Sequence, residues 1–146
     1  MLWLKRIKPD KEICDKLKLS EDAEVVYLKR LRYADGNPAT LIESYLPYRY
    51  VEGIEIIDFT KNFLYRTLED HFKLEVYEAE ELIEAKNIDS GNASLLGIQP
   101  ESSILLVRRV TYLTDGNIIE YDKVLYRSDI FEYHVKLEGR GQGRLV

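Results

Sequence analysis

The sequence predicts an α+β domain built on an antiparallel sheet. Two β-branched and aromatic segments, residues 24–33 and 104–113, each run toward an Asp-Gly-Asn turn that starts at Asp35 or Asp115. Turns of this composition join antiparallel neighbours in hairpins. Between the hairpins, residues 61–72 carry an apolar side chain at every fourth position, which is the spacing of a helix. Hairpins combined with a few short helices are typical of the α+β class.

Local spacing defines the elements of the first half of the chain. Ile13 and Leu17 lie four residues apart, which is the spacing of a short helix, and Pro9 fits its first turn. The return strand of the first hairpin ends at Pro47. The predicted elements are a helix over 9–18, strands over 24–33 and 39–46, and a helix over 61–72 with Asp58 or Thr60 as its N-cap.

The second half contains one ambiguous segment. Residues 74–86 are rich in glutamate, which favours a helix, but the alternation at Leu74 and Val76 favours a strand, which we predict. Gly97 is the expected end of a short helix that Asp89 caps. The predicted elements are a strand over 74–86, a helix over 90–96, strands over 104–113, 118–127 and 131–138, and a flexible glycine-rich tail over 139–146.

Composition excludes several classes of protein. The 146 residues suffice for one domain without a disulfide or structural metal, and the net charge of −5 argues against direct nucleic-acid binding. Cys14 is the single cysteine, and the two histidines, His71 and His134, form no zinc motif. The N-terminal residues contain no apolar run long enough for a signal peptide, and no stretch approaches the length of a membrane span. We therefore expect a cytoplasmic protein with no metal, no other cofactor and no contact with a membrane.

Charged side chains on the predicted strands are the candidates for binding. Arg30 and Arg32 share one strand face, where they form either an anion site or a pair of solvated charges. Glu120 and Tyr126 also share a face, and Glu43 lies among apolar neighbours on its own strand. A carboxylate in such surroundings needs a partner, which is either a structural arginine or a ligand. An acid–base pair of Glu43 with Glu120 is a further alternative.

The two hairpins resemble each other, and the helix between them offers a weak anion site. Each strand before a turn carries an arginine pair, Arg30 with Arg32 and Arg108 with Arg109. This similarity indicates either two pseudo-symmetric hairpins beside one cleft or two hairpins that are alike only because their turns need the same residues. The backbone N–H groups at the start of a helix bind anions, and Thr60, Asn62 and Phe63 would surround them here.

Taken in order, these segments resemble the UTRA domain, the effector-binding domain of GntR-type bacterial transcription regulators of the HutC subfamily. Each motif is weak alone, but the ordered set, which spans roughly residues 5–138, is specific. The matching segments are Lys29-Arg30-Leu31-Arg32-Tyr33, Asp35-Gly36-Asn37-Pro38, Glu43-Ser44-Tyr45-Leu46-Pro47, Phe63-Leu64-Tyr65, Ala93 to Gly97, Leu105 to Tyr112, Ile119-Glu120-Tyr121 and Tyr126-Arg127-Ser128-Asp129.

The resemblance implies a chorismate-lyase-like fold, with a small effector bound in a cleft, a homodimer interface and a separate winged helix-turn-helix that binds DNA. It also implies that two arginines bind phosphate and that four further side chains line the effector pocket. The phosphate-binding residues would be Arg30 and Arg32, and the lining residues would be Glu43, Tyr65, Glu120 and Tyr126. Phe63 stands where the family often has a phosphate-binding serine, which argues against a sugar phosphate as the effector.

These inferences define an expected organisation and three candidate functions. We expect a linker and first short helix in residues 1–22 and the UTRA domain in 23–138, with the DNA-binding domain absent from this chain. The leading function is a non-enzymatic sensor of a small anionic metabolite, such as a phosphosugar, that modulates DNA binding by the absent domain as a repressor would. The alternatives are a ligand-free dimerisation module, with Phe63 filling the pocket, and an enzyme of the chorismate-lyase type.

Overall fold

A computed structural model of the protein, which describes residues 1–139, contains an antiparallel sheet of six strands and three short α-helices. The α+β class is therefore confirmed. In chain order the elements are β1 (Trp3–Ile7), α1 (Lys11–Leu17), β2 (Val25–Ala34), β3 (Asn37–Pro47), α2 (Leu64–Asp70), β4 (Val76–Asn87), α3 (Ser90–Leu96), β5 (Ser103–Leu113) and β6 (Ile118–Arg127). Two short 3₁₀ turns, Tyr48–Tyr50 and Ile54–Ile56, connect β3 to α2.

The sheet repeats one supersecondary unit. Its strand order is β1-β2-β3-β6-β5-β4, and every neighbouring pair is antiparallel. Each half runs strand, helix, strand, strand, so that β1-α1-β2-β3 corresponds to β4-α3-β5-β6. The two hairpins meet where β3 pairs with β6 at the centre of the sheet. The resemblance between the hairpins in sequence is thus accompanied by a repeat in topology.

Each hairpin contains an irregularity close to its turn. The pairing of β2 with β3 shifts by one residue between Arg32 and Tyr33, and that of β5 with β6 shifts between Thr111 and Tyr112. The first turn places Asp35 and Gly36 at φ values of 49° and 80°, as a tight hairpin turn requires. Because side chains alternate between the two faces of a sheet, a shift of one residue places all side chains beyond it on the other face relative to the partner strand.

Helices cover both faces of the sheet. α1 and α3 pack on the face that carries Leu41 and Tyr121, whereas α2 packs on the opposite face against Val26, Leu28 and Leu46. The apolar stripe of α2 explains its position, because Leu64 and Leu68 are both buried there. No helix in residues 1–139 is long and apolar enough to cross a membrane.

The predicted start of α2 is wrong by about one turn. The helix begins at Leu64, with Phe63 at the N-cap position and no side-chain cap. Asp58 instead accepts a hydrogen bond from the backbone N–H of Thr60 at 2.9 Å, because a short Asp side chain readily closes a local turn. Its carbonyl oxygen accepts a second hydrogen bond from the Asn62 side chain. Residues 58–62 therefore form a turn that precedes the helix.

The ends of the chain also differ from the predictions. β1 was not predicted, because it is only five residues long and its two adjacent basic residues, Lys5 and Arg6, interrupt any alternation of apolar and polar positions. It nevertheless pairs with β2 from Trp3 to Ile7, so part of the expected linker 1–22 belongs to the sheet. The strand predicted over 131–138 is wrong: this segment is irregular, and Val135 and Leu137 are exposed rather than buried. Of the predicted tail over 139–146, residues 140–146 lie outside the described residues.

Candidate ligand-binding site

A cavity of about 300 Å³ lies between the sheet and the start of α2, on the face that α2 covers. This volume is at the lower end of the range for small-molecule sites. Strands β2 to β6 form its floor, and α2 with the preceding residue forms its wall. The lining residues are Arg30, Arg32, Ile42, Phe63, Leu64, Tyr65, Glu81, Val107, Arg109, Glu120, Asp122, Val124 and Tyr126.

Strand register explains which side chains reach this cavity. Ile42 on β3 pairs with Arg30 on β2 and with Val124 on β6, and Val124 pairs in turn with Val107 on β5. Residues directly opposite one another in a sheet share a face, and alternate residues of each strand return to it. The same alternation brings Arg32, Glu120, Asp122 and Tyr126 to the cavity, and α2 supplies Tyr65. Of the six expected effector-binding residues, all except Glu43 therefore lie together.

The arginines of the cavity differ in their partners. Arg30 donates a hydrogen bond from Nη2 to the Ser44 hydroxyl at 2.8 Å, and its Nε has no partner within residues 1–139. Burial lowers the pKa of the Arg30 guanidinium, although Asp122 and Glu120 act in the opposite direction. Arg32 is exposed at the mouth of the cavity and forms no ion pair with any described residue.

Two buried carboxyl groups lie on the floor of the cavity. Glu120 is 1% exposed and Asp122 is 7% exposed. Glu120 Oε2 and Asp122 Oδ1 have no hydrogen-bond partner within the described part of the chain. Burial and the neighbouring Glu120 carboxylate raise the pKa of Asp122 well above its ordinary value, so its protonated form is favoured. Residues 1–139 contain no cluster of three His, Cys, Asp or Glu side chains suited to a metal ion.

Tyrosines complete the polar lining. The Tyr65 hydroxyl lies 3.3 Å from the Thr111 hydroxyl and accepts a long hydrogen bond of 3.4 Å from Arg109 Nη1. Burial, assisted by the nearby carboxyl groups, raises the pKa of Tyr65, so the phenol stays protonated and can donate. Tyr126 packs edge-on against Phe131 with ring centroids 5.1 Å apart, and burial likewise raises its pKa.

A second cavity of about 460 Å³ adjoins the first and shares Arg30, Arg32 and Phe63 with it. Thr60 and Asn62 line this neighbouring cavity, so all three residues expected at the helix start face open space beside the arginines. Phe63 is 65% exposed at the boundary between the two cavities. Its ring lines both cavities and fills neither.

The structure does not bring Glu43 to this site. Glu43 lies on the opposite face of the sheet, where it accepts a hydrogen bond from the Tyr27 hydroxyl at 2.8 Å and pairs with Lys29 at 3.1 Å. The shift between Arg32 and Tyr33 is the physical reason, because it sets Glu43 opposite Lys29 rather than opposite Leu28. An acid–base pair of Glu43 with Glu120 is therefore excluded by the sheet that separates them.

Three charged residues of the site were not among the candidates predicted from the sequence. Asp122 was visible as the alternate neighbour of Glu120, and Arg109 as half of an arginine pair, but neither was selected. Glu81 lies 3.2 Å from Arg109 Nε and belongs to the glutamate-rich strand β4, where no local pattern distinguishes it from its neighbours. The site thus contains three arginines and three acidic residues rather than two of each.

A charged cavity between an antiparallel sheet and a short helix defines a small-molecule-binding α+β domain. Residues 1–132 match the UTRA domain family. The match covers most of the chain, and the chain therefore belongs to the UTRA domain family.

Curated relatives are transcription regulators of Bacillus subtilis. The chain is 26% identical over 106 residues to the repressor NagR, covering 73% of this chain and 43% of NagR. It is 28% identical over 123 residues to the regulator GmuR, covering 84% of this chain and 52% of GmuR. Both are described as HTH-type transcriptional regulators, and the chain spans about half the length of the curated relatives it matches.

Solved structures of GntR-family regulators share the fold. A regulator from Enterococcus faecalis V583 superposes with a TM-score of 0.85 at 26% identity, covering 93% of this chain and 97% of that one. A structure described as the ligand-binding domain of a GntR-family regulator from Bordetella bronchiseptica gives a TM-score of 0.89 at 27% identity, covering 94% and 89%. Both the domain family and the regulator family that the sequence resemblance implied are confirmed.

Proposed function

We propose that this domain senses a small anionic metabolite and thereby modulates DNA binding by a winged helix-turn-helix domain of the same regulator, in the bacterial cytoplasm. The observation that supports this most strongly is the unpaired Arg32 guanidinium beside buried carboxyl oxygens that lack donors. A protein that only packed the two buried carboxyl groups would leave their acceptors without donors at a considerable free-energy cost. A ligand that carries both an anion and hydrogen-bond donors would satisfy them.

Each lining residue has a chemical role in this proposal. Arg30 and Arg32 neutralise the anion, because guanidinium groups bind phosphate and carboxylate through paired N–H donors. Glu120 accepts hydrogen bonds from hydroxyl or amide groups of the ligand. Tyr65 and Tyr126 form the walls and supply protonated phenols as donors. Glu43 has no binding role here, because it lies behind the sheet.

The ligand class includes a phosphosugar as one member. Phe63 fills neither cavity, since its side chain is largely exposed. The two cavities together exceed the size of one phosphate group. Phe63 has no hydroxyl to hold phosphate, so Thr60 or Asn62 would have to provide the neutral donors on that side. A small carboxylate needs fewer donors and is the second member of the class.

We also propose that the domain forms a homodimer. β4 is an edge strand of 12 residues with both faces exposed, and Tyr77, Leu82 and Ile83 are 71%, 57% and 42% exposed. Long edge strands with apolar side chains associate with a further strand, and a second copy supplies one. Sedimentation-velocity ultracentrifugation should show a dimer, whereas a monomer at high micromolar concentration would refute this part of the proposal.

A thermal-shift screen tests the sensor function directly. The panel contains sugar phosphates, free sugars, small carboxylates and inorganic anions, and Arg32→Ala is the test variant. A ligand at about 100 times its Kd stabilises the native state by about 2.7 kcal/mol, which is roughly 5–10 °C for a domain of this size. Arg66→Ala is the matched control, because Arg66 is exposed on α2 outside the cavity.

The outcomes separate the candidate functions. A shift that is lost in Arg32→Ala and retained in Arg66→Ala supports the sensor. A flat panel with an intact dimer favours a dimerisation module instead. Conversion of a bound compound into a product, followed by mass spectrometry, would favour an enzyme, and the proposal of a non-enzymatic domain would then fail.

A further inference from the structure

We propose that Glu120 and Asp122 form a subsite for a protonated amine, so that the ligand is zwitterionic, with its anion at Arg32 and its ammonium group on the carboxyl pair. This inference rests on the proposed sensor function and narrows its ligand class. It identifies Asp122 as a residue that determines specificity.

The geometry of the carboxyl pair supports this assignment. Glu120 and Asp122 are alternate residues of β6, so their side chains enter the cavity from the same face. Both side chains are more than nine-tenths buried, and each has one oxygen without a partner in residues 1–139. Two neighbouring carboxyl groups, each with one oxygen that no donor reaches, match the several N–H donors of an ammonium group.

The balance of charge in the cavity accommodates an amine in place of a proton. Glu81 is engaged with Arg109 at 3.2 Å, which leaves Arg30 and Arg32 beside the two carboxyl groups of β6. When the ligand's anion occupies Arg32, Arg30 balances the Glu120 carboxylate, and Asp122 is neutral in its favoured protonated form. An ammonium group from the same ligand replaces the proton of Asp122 without changing the net charge of the cavity, whereas a hydroxyl group does not.

A proton then links ligand binding to pH. The titratable and charged groups around Asp122 come from β2, β4, β5, β6 and α2, whereas β3 contributes only the apolar Ile42 to the lining of the cavity. They are Arg30, Arg32, Tyr65, Glu81, Arg109, Glu120 and Tyr126. Burial and the Glu120 carboxylate raise the pKa of Asp122, which favours its protonated form in the empty cavity. An arriving ammonium group favours the carboxylate, so Asp122 releases its proton to solvent as the ion pair forms. Affinity for an amine therefore rises with pH, up to the pH at which the amine itself loses its charge.

Matched pairs of simple phosphates test the subsite. The probes are ω-aminoalkyl phosphates and ω-hydroxyalkyl phosphates with two to six methylene groups, because the series covers the unknown span between the two charges of the ligand. Isothermal titration calorimetry at pH 5.5 to 8, in two buffers of different ionisation enthalpy, measures both affinity and proton release. We expect the best amine to bind about tenfold tighter than its hydroxyl partner, with proton release, since hydrogen bonds between charged groups exceed neutral ones by about 1.4 kcal/mol.

Asp122→Asn is the decisive variant, because it keeps the shape of the side chain and removes its ionisation. It should abolish the amine preference over the matched hydroxyl probe and the proton release that accompanies amine binding. Glu80→Gln is the matched control, since Glu80 is exposed on β4 and lines neither cavity. If Asp122→Asn does not fold, the difference in pH dependence between matched amine and hydroxyl probes on the wild-type protein still tests the proposal, because the phosphate group titrates in both series.

Two failures can be told apart. If anions bind in an Arg32-dependent manner but no amine gains affinity at any chain length, the amine subsite is wrong and the sensor function stands. If no anion of the thermal-shift panel and no phosphate of either series binds, the proposed function itself is wrong.

Discussion

Replacing Glu43 with alanine should destabilise the domain without changing its ligand affinity. The substitution removes an ion pair to Lys29 and a hydrogen bond from Tyr27, both on the face of the sheet opposite the cavity. Lys29 would keep only a 3.4 Å contact with Asn92 and a contact with the Trp3 ring. The consequence is an uncompensated ammonium group in a largely buried position.

The expected loss of stability follows from how deeply the ion pair between Lys29 and Glu43 is buried. Breaking a fully buried ion pair costs about 3–5 kcal/mol, whereas an exposed pair contributes about 1 kcal/mol or less. The side chains of Lys29 and Glu43 are 12% and 26% exposed, which is close to the buried limit but not at it. We therefore expect Glu43→Ala to lower the free energy of unfolding by about 2 kcal/mol, or the Tm by roughly 4–8 °C.

Urea denaturation and ligand-induced thermal shifts measured on the same variants test this reasoning. Glu43→Gln should fall between wild type and Glu43→Ala, because the amide oxygen still accepts a hydrogen bond from Tyr27. Glu80→Ala is the control for an exposed carboxylate on a strand and should change stability by less than about 0.5 kcal/mol. A loss below about 0.5 kcal/mol in Glu43→Ala, or disappearance of the ligand-induced shift, would refute the assignment of Glu43 to the opposite face.

Two further predictions concern helix ends and pH. Gly97→Ala should cost about 1 kcal/mol in urea denaturation, because Gly97 ends α3 at a φ of 65° that alanine adopts only with strain; an unchanged midpoint would contradict this. Hydrogen bonding to Lys123 lowers the pKa of Glu12 below its ordinary value of 4.5, so its contribution to stability is present above that pH and is lost as the pH falls through the lowered pKa. Glu12→Gln should therefore lower the urea midpoint at pH 7, and the difference from wild type should vanish at strongly acidic pH.

Much of the fold was predictable because it depends on local chemistry. Turns such as Asp35-Gly36 require residues that tolerate positive φ, and the periodicity of the main strands distinguishes them from helices. The alternation at Leu74 and Val76 alone favours a strand over a helix for residues 74–86, and the structure confirms a strand, which spans Val76–Asn87. β1 and the irregular segment over 131–138 were not predictable in this way, because whether a short segment forms a strand depends on an available partner edge.

The candidate site was less predictable, because the register between neighbouring strands decides which of their side chains share a face of the sheet. Alternation along one strand correctly grouped Arg30 with Arg32 and Glu120 with Tyr126. Without an irregularity, the pairing of the first turn would continue along the hairpin and set Glu43 on the face of Arg30 and Arg32. β3 carries one extra residue opposite Arg32 and Tyr33, and this residue places Glu43 on the other face from Arg30 and Arg32.

Both faces of this sheet carry acidic side chains, and the faces differ in whether those carboxyl groups have partners. On the face that carries α1 and α3, Glu43 is paired with Lys29, and Lys123 is paired with Glu12 at 3.0 Å. On the cavity face, Glu120 and Asp122 are buried more deeply than these groups, yet each retains an acceptor without a donor. Burial of a carboxyl oxygen without a donor is unfavourable for folding, so a fold that retains two such oxygens on neighbouring residues of one face keeps that face for a ligand.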